Sequence, residues 1–415
     1  MVAELLAPDE VFFDEWSRLR HVTKRSIARA AALAAALELP LHQIPTLVVV
    51  GSKGKATAAT YASAVLAAAG LHVGTITSPP IITNRERIRI DGTAIDDATY
   101  AAIASRVLDA RCRLAPATAA SGYLSPAGLY LMGGLDALRR ERCDVAVVEA
   151  GIGGRSDEVS LLDARVLAVT PIFGEHLGVL GDSVDAIAED KLAIAGPATR
   201  VVSALQTADV QQVFARRGIQ PVMATTAACA VEGSLLPPGL SSASAAVGIV
   251  AARIFLDGTR IPVEAVRGVL RTIRLPGRLT AAVDGEVRRW LADAAIDARG
   301  VQEAVHHARR LFGAVDYVLV SLPDSKDVER TAAWLDSELG GDRWTPVIPP
   351  GAAHLAYSEA AWKRPLVEWQ AVGHHLSGRR TVVAVGSWSF MSAVLASLGV
   401  SNEQAFQASA GLEKA

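Results

Sequence analysis

The residues best suited to chemistry stand directly after a β-branched run, in Leu47-Val-Val-Val-Gly51-Ser-Lys-Gly-Lys55-Ala-Thr57. Gly51 and Gly54 let the backbone turn tightly and aim N–H groups at an anion, and the helical sequence after them adds the positive end of its dipole. Lys55 supplies a point charge for outer phosphates, Lys53 adds charge beside it, and Thr57 offers a hydroxyl to phosphate or Mg²⁺. The spacing is G-x-x-G-K-x-[ST] rather than G-x-x-x-x-G-K-[ST], because Ala56 comes after Lys55. Gly51, Ser52, Lys53, Gly54, Lys55, Ala56 and Thr57 therefore form a candidate phosphate cradle.

Other reactive residue types recur at corresponding places. Ser78 stands after the strand-like residues 71–77, Glu149 ends the run Cys143-Asp-Val-Ala-Val-Val-Glu149, and His176 lies just beyond the strand-like residues 165–171. A hydroxyl, a carboxylate and one imidazole are an acceptable set for a hard cation, since Mg²⁺ favours oxygen ligands and keeps several waters. Singly, each has a plainer role: a turn hydroxyl before Pro79, a capping carboxylate, a structural histidine. Lys191, in a capped helical stretch, reads alone as a solvated lysine.

What would position these groups is an alternation of strands and helices. Strand-like residues 46–50, 71–77, 143–149, 165–171 and 200–203 alternate with helical patterns such as 96–114 and 125–142. That order predicts a parallel α/β sheet with its ligand crevice at the strands' carboxyl ends. Residues 11–39 read as a helical lead-in, and 85–92, alternating charge with isoleucine, as a half-exposed strand. Residues 226–245, rich in Ala, Ser, Gly and Pro, read as a loop. After Leu275-Pro-Gly-Arg278 the rhythm restarts, with strands near 287–291, 317–321, 345–348 and 381–386. The expected architecture is a large P-loop ATPase domain over residues 1–280 with a mainly parallel sheet, and a smaller Rossmann-like α/β domain over 281–415.

Composition narrows the function. A chain of 415 residues exceeds one ordinary core, and 51% hydrophobic with 20% charged residues is a globular composition. A net charge of −2 leaves no basic footprint for nucleic acid and no polybasic membrane segment. No apolar run is long enough to span a bilayer, and Asp9, Glu10, Asp14 and Glu15 occupy the region where a signal peptide needs an apolar core. Cys112, Cys143 and Cys229 form neither a metal pattern nor a disulfide framework, which suits a reducing cytoplasm.

Several ordered motifs together resemble the Mur ligase superfamily, and within it the folylpolyglutamate synthase branch. Gly51-Ser-Lys-Gly-Lys-Ala-Thr57 stands for G-T-N-G-K-G-S, Thr77-Ser-Pro79 for T-S-P, and Glu86-Arg-Ile88 for E-R-I. Glu149-Ala-Gly-Ile-Gly-Gly-Arg155 resembles E-V-G-L-G-G-R, Glu175-His176 an Asp-His pair, and the segment from Leu180 to Lys191 resembles L-G-x-T-x-x-x-I-A-x-x-K. Leu275-Pro-Gly-Arg278 resembles the L-P-G-R of the domain junction, and Val385-Gly-Ser387 a strand end of the small domain. The resemblance implies that Lys55 and Thr57 hold ATP phosphates, that Ser78, Glu149 and His176 ligate Mg²⁺, and that Arg278 reaches the phosphates and Asp293 the ribose. Lys191 matches a lysine that is carbamylated in family members, and with Lys55 and His176 it completes the implied catalytic set. The implied reaction activates a carboxylic acid as an acyl phosphate and joins it to an amine or amino acid, releasing ADP and phosphate.

The departures cluster. Pro80 and Ile81 replace the His-Leu of T-S-P-H-L, and Lys53 replaces a loop asparagine. H-Q-x-x-N falls on Leu240-Ser-Ser-Ala-Ser244 with none of its polar residues kept, and D-G-A-H-N-P falls on Asp293-Ala-Ala-Ile-Asp-Ala298 with its histidine and asparagine lost. The expectation is a ligase for a substrate pair other than folate and glutamate. The alternatives are a true folylpolyglutamate or dihydrofolate synthase and a non-catalytic nucleotide-binding protein of the same fold. The sequence leaves monomer or homodimer open.

Overall fold

The computed structural model describes residues 7–175, 177–229, 235–239, 241–351 and 355–408. The β-branched runs become strands of two sheets. The first sheet contains Thr46–Val50 (β1), Val73–Ile76 (β2), Ile88–Ile90 (β3), Thr93–Ala94 (β4), Val145–Glu149 (β5), Ala164–Val169 (β6), Arg200–Ser203 (β7) and Val222–Met223 (β8). Its order is β4-β3-β2-β5-β1-β6-β7-β8, parallel throughout except for β3 and β4 at one edge. In the register Ile76 lies opposite Val148, Val49 opposite Glu149 and Val50 opposite Val169. The tips of β2, β5, β1 and β6 are therefore neighbours, and the loops that leave them share one edge of the sheet.

The second sheet contains Thr280–Val283 (β9), Arg289–Asp293 (β10), Tyr317–Ser321 (β11), Trp344–Ile348 (β12), Val367–Glu368 (β13) and Thr381–Gly386 (β14), in the order β13-β12-β11-β14-β10-β9. Only β9 runs antiparallel to its neighbour. Each sheet has a hydrophobic core on both faces. The alanine-rich stretch after the phosphate cradle is helix Lys55–Ala68, buried continuously from Thr57 to Ala68. A helix covered on every side needs small side chains, and here they let helix Ser241–Phe255 pack closely along it.

Three local expectations are corrected. The helical lead-in is two helices, Pro8–Leu19 and Ile27–Ala36, because the Ser26 hydroxyl accepts the Arg29 amide and starts a new helix. Residues 85–92 are not half-exposed: Arg87 and Arg89 are only 7% and 6% exposed. Residues 84–87 form a 3₁₀ turn before β3, where Arg87 donates to Asn84 and to the Ser78 hydroxyl, while Arg89 in β3 donates to the Asn402 and Glu403 carbonyls. Finally, the expected loop over 226–245 ends sooner, because residues 241–245 open helix Ser241–Phe255; beyond the second sheet the chain turns back. Residues 402–407 return to the edge of the first, where the Ala94 amide donates to the Glu403 carbonyl and the Ala405 amide to the Gly92 carbonyl (both 2.8 Å).

Among the described residues no helix is long and apolar enough to cross a membrane.

Candidate active site

The four neighbouring strand tips open into a cleft of about 1590 Å³ that both lobes line. Residues 51–57 form its floor. Gly51 and Gly54 have φ of +143° and +82°. A β-carbon on Gly51 would strike the Thr170 hydroxyl, and one on Gly54 the Ser244 hydroxyl, so only glycine fits either turn. The Ser52 hydroxyl donates to the Phe173 carbonyl (3.0 Å) and fixes the loop on the residues after β6. Lys55 opens the helix, and its ammonium lies over the Gly51 and Ser52 carbonyls (3.3 and 3.4 Å). Thr57 is buried in the first turn.

Glu149 ends β5 and accepts the Ser78 amide (3.0 Å), so the tips of β5 and β2 meet directly. Burial pushes the Glu149 carboxyl up, against the pull of Lys55, the Ser78 amide, Arg278 and Arg87. The Ser78 hydroxyl accepts from Arg87 (3.0 Å), whose guanidinium lies 4.5 Å from the Tyr130 ring centroid. Arg87 belongs to the E-R-I motif, yet its alternation with isoleucine gave no sign that it would be buried against this site.

Helix Val184–Leu192 places Lys191 beside the same loop. Asp190 anchors it to the second glycine turn by accepting the Gly154 amide (2.7 Å) and the Ser156 hydroxyl (2.5 Å). Lys191 is 1% exposed, which excludes a solvated lysine. Its ammonium makes no hydrogen bond or ion pair with a described residue. Burial lowers it to about 8, with Lys55 adding repulsion and Glu175, Asp190 and Asp157 pulling the other way.

The junction contributes Arg278 and the second lobe Asp293. Arg278 sits 4.6 Å from the Trp388 ring centroid, and burial works against its charge while Asp293 and Glu149 favour it. Asp293 ends β10 and accepts the Leu279 amide (2.7 Å). Lys53 and Asp297, both at positions that depart from the family motifs, form an ion pair across the lobes. Asp297 also accepts the Gly300 amide (2.8 Å) and so caps helix Ala298–Phe312.

Lys55, Ser78, Glu149, Arg278 and Asp293 thus line one cleft, and Lys191 is buried behind it, near enough to Lys55 to be repelled by its charge. His176 lies outside the described residues, as does Leu240. Among the described residues no group of three His, Cys, Asp or Glu side chains is placed to hold a metal. A buried carboxylate with an adjoining hydroxyl is nonetheless a partial oxygen set that fits Mg²⁺, which completes its shell with water and phosphate.

No protein-family model matches the chain. The dihydrofolate synthase/folylpolyglutamate synthase of Escherichia coli is 27% identical over 84% of this chain and 85% of its own length. Its Bacillus subtilis counterpart is 28% identical over 54% of this chain, a match that spans about half of that relative's length. The chain's homologues are folylpolyglutamate synthases. The folylpolyglutamate synthase of Mycobacterium tuberculosis, solved with ADP, superposes with a TM-score of 0.75 over 95% of this chain and 99% of its own, at 22% identity. That likeness establishes the fold of folylpolyglutamate synthases, two α/β lobes each built on a mainly parallel sheet.

Proposed function

We propose that the chain is an ATP- and Mg²⁺-dependent ligase that joins a carboxylic acid to an amine or amino acid, with a substrate pair other than folate and glutamate. The convergence of Lys55, Ser78, Glu149 and Lys191 from separate segments of the first lobe, closed over by Arg278 and Asp293, carries this reading. Residues 51–57 hold the triphosphate, Ser78 and Glu149 with His176 hold the metal, and Arg278 from the junction and Asp293 from the second lobe hold the nucleotide's phosphates and ribose. Bound Mg²⁺ supplies neutralisation of phosphate charge. The acid's carboxylate oxygen attacks the γ-phosphorus, the bond to the ADP oxygen breaks, and the amine then displaces phosphate from the acyl phosphate. Lys55 and Arg278 stabilise the transferring group, and the two lobes keep water from the acyl phosphate.

Lys191 is set up for carbamylation. Only a neutral amine adds to CO₂, and a lysine at about 8 is roughly one-tenth neutral at pH 7, against about three in ten thousand for an ordinary one.

The substrate reading rests on Pro80 and Ile81 in the acid-side loop and on the altered residues 240–244, 296 and 297. The relatives' names support a second reading, a true folylpolyglutamate or dihydrofolate synthase, equally well. Incubation with ATP, Mg²⁺, glutamate and a reduced folate separates the two by the mass of one added glutamyl unit. ADP release across a panel of acids and amines tests ligation itself, and silence with measured ATP binding would favour a non-catalytic nucleotide-binding protein.

A further inference from the structure

The stretch at 402–407 connects three parts of the molecule. It leaves the second lobe after Leu398 and Val400, which pack on that lobe's core. It then lies along β4, where the Glu403 carboxylate pairs with Arg85 (2.7 Å) and the Asn402 and Glu403 carbonyls accept from buried Arg89 (2.6 and 2.9 Å). Its far end is tied beside the domain junction: the Arg274 amide donates to the Ala405 carbonyl and the Gln407 amide to the Thr272 hydroxyl (both 2.8 Å). The two lobes are therefore joined by two covalent crossings, at residues 275–279 and at 399–402. Any rotation of one lobe on the other turns about a line through both.

Asn402, Ala405 and Phe406 of this strap line the cleft, and Asn402 is the polar one of the three. Asn402 is 7% exposed, and its amide donates to Glu86 Oε2 at 2.6 Å. Glu86 is 3% exposed and gathers the loop after Ser78 onto itself, accepting the backbone amides of Ile81 (3.0 Å), Ile82 (3.2 Å) and Thr83 (3.1 Å). Ile81 in turn packs against the core of the second lobe. The loop that carries Ser78 and faces the cleft is thus linked to the second lobe twice, directly by the apolar contact at Ile81 and indirectly through Glu86 by Asn402 of the strap that leaves that lobe.

We propose that Asn402 is a positioning residue, which acts through Glu86 to set the loop at 78–83 and so couples the acid side of the cleft to the placement of the second lobe. A carboxylate that collects several donors holds a loop only while each donor stays in place. The Asn402 amide is the donor that comes from the strap, two residues after Val400 packs on the second lobe. The assignment of the loop to the acid rests on the ligase reading; the mechanical coupling does not.

The test uses the full chain as Asn402→Ala and Asn402→Asp, read first by amide hydrogen exchange with and without MgATP. In Asn402→Ala, amides at 81–87 exchange about tenfold faster while those at 51–57 stay within twofold. Asn402→Asp, which sets a carboxylate against Glu86, exceeds Asn402→Ala at the same amides. With an acid and amine that support turnover, Asn402→Ala raises the KM for the acid about fivefold and leaves the KM for ATP within twofold. Unchanged exchange at 81–87 overturns the proposal. So does exchange that rises evenly across both lobes, the mark of a general loss of stability, or a parallel rise in both KM values. A chain that turns over no acid refutes the ligase reading, while the exchange contrast still decides the coupling.

Discussion

Lys191→Met is expected to make the protein more stable and inactive at once. The native ammonium is buried at about 8, against 10.5 for an ordinary lysine. At roughly 1.4 kcal/mol per tenfold change in proton affinity, that is about 3 kcal/mol of stability given up at neutral pH. Proton counting sets the sign. Below about pH 8 both native and unfolded chains carry the proton, and the whole cost is present. Between about pH 8 and 10.5 the unfolded chain holds the proton and the native one sheds it, so native stability rises with pH across that window. Methionine matches the lysine stem in volume and carries no charge, so Lys191→Met unfolds in urea with up to about 3 kcal/mol more free energy at pH 7. The gain shrinks steadily toward pH 10.5. Nucleotide-free protein in bicarbonate-depleted buffer is the right sample, since carbamylation would replace the ammonium with an anion. A variant no more stable than the parent at pH 7, or a gain independent of pH, would refute the reasoning. Loss of ADP release beside the gain in stability is the signature of a buried charge kept for function.

Glu149→Gln keeps the size and loses the anion; ADP release is expected to fall at least about a hundredfold while a fluorescent ATP analogue binds within a few fold. Chelation of Mg²⁺ with EDTA should silence the parent enzyme and be reversed by added Mg²⁺. For the Lys53–Asp297 pair, whose side chains are 38% and 43% exposed, a double-mutant cycle through Lys53→Asn and Asp297→Asn should give a coupling of about 0.5–1 kcal/mol in low salt, fading by about 0.5 M salt. Equal coupling at both salt concentrations would show that the two do not meet as charges. Gly54→Ala places a methyl on the Ser244 hydroxyl at a φ of +82°, and it should weaken nucleotide binding at least about tenfold, with partial recovery when Ser244→Gly is added.

Much of the fold and most of the candidate site were legible because the chemistry sits at predictable places in local patterns. Glycine and lysine stand after a β-branched run, and a carboxylate closes another; strands alternating with helices force such tips onto one edge of a parallel sheet. The grouping of Ser78 with Glu149 needed only that β2 and β5 be neighbours. What could not be read depends on partners far along the chain. Arg89 donates to Asn402, 313 residues away, and Arg85 to Glu403, 318 residues away. Before those acceptors are placed, a strand of alternating arginine and isoleucine reads as half-exposed, since burial of an unpaired charge is costly. Lys53 and Asp297 are 244 residues apart, so each looked like a separate loss from its motif. Their meeting changes what the two losses mean. A second lobe drifting away from catalysis has no reason to acquire a charge opposite the one newly placed on the phosphate loop. Its N-terminal helix cap reaches the first lobe by an ion pair, and its C-terminal strap reaches it through Asn402 and Glu86. Both lobe contacts fall on the lining of the cleft, and on the proposed ligase reading their docking would decide whether an activated intermediate meets water or an amine.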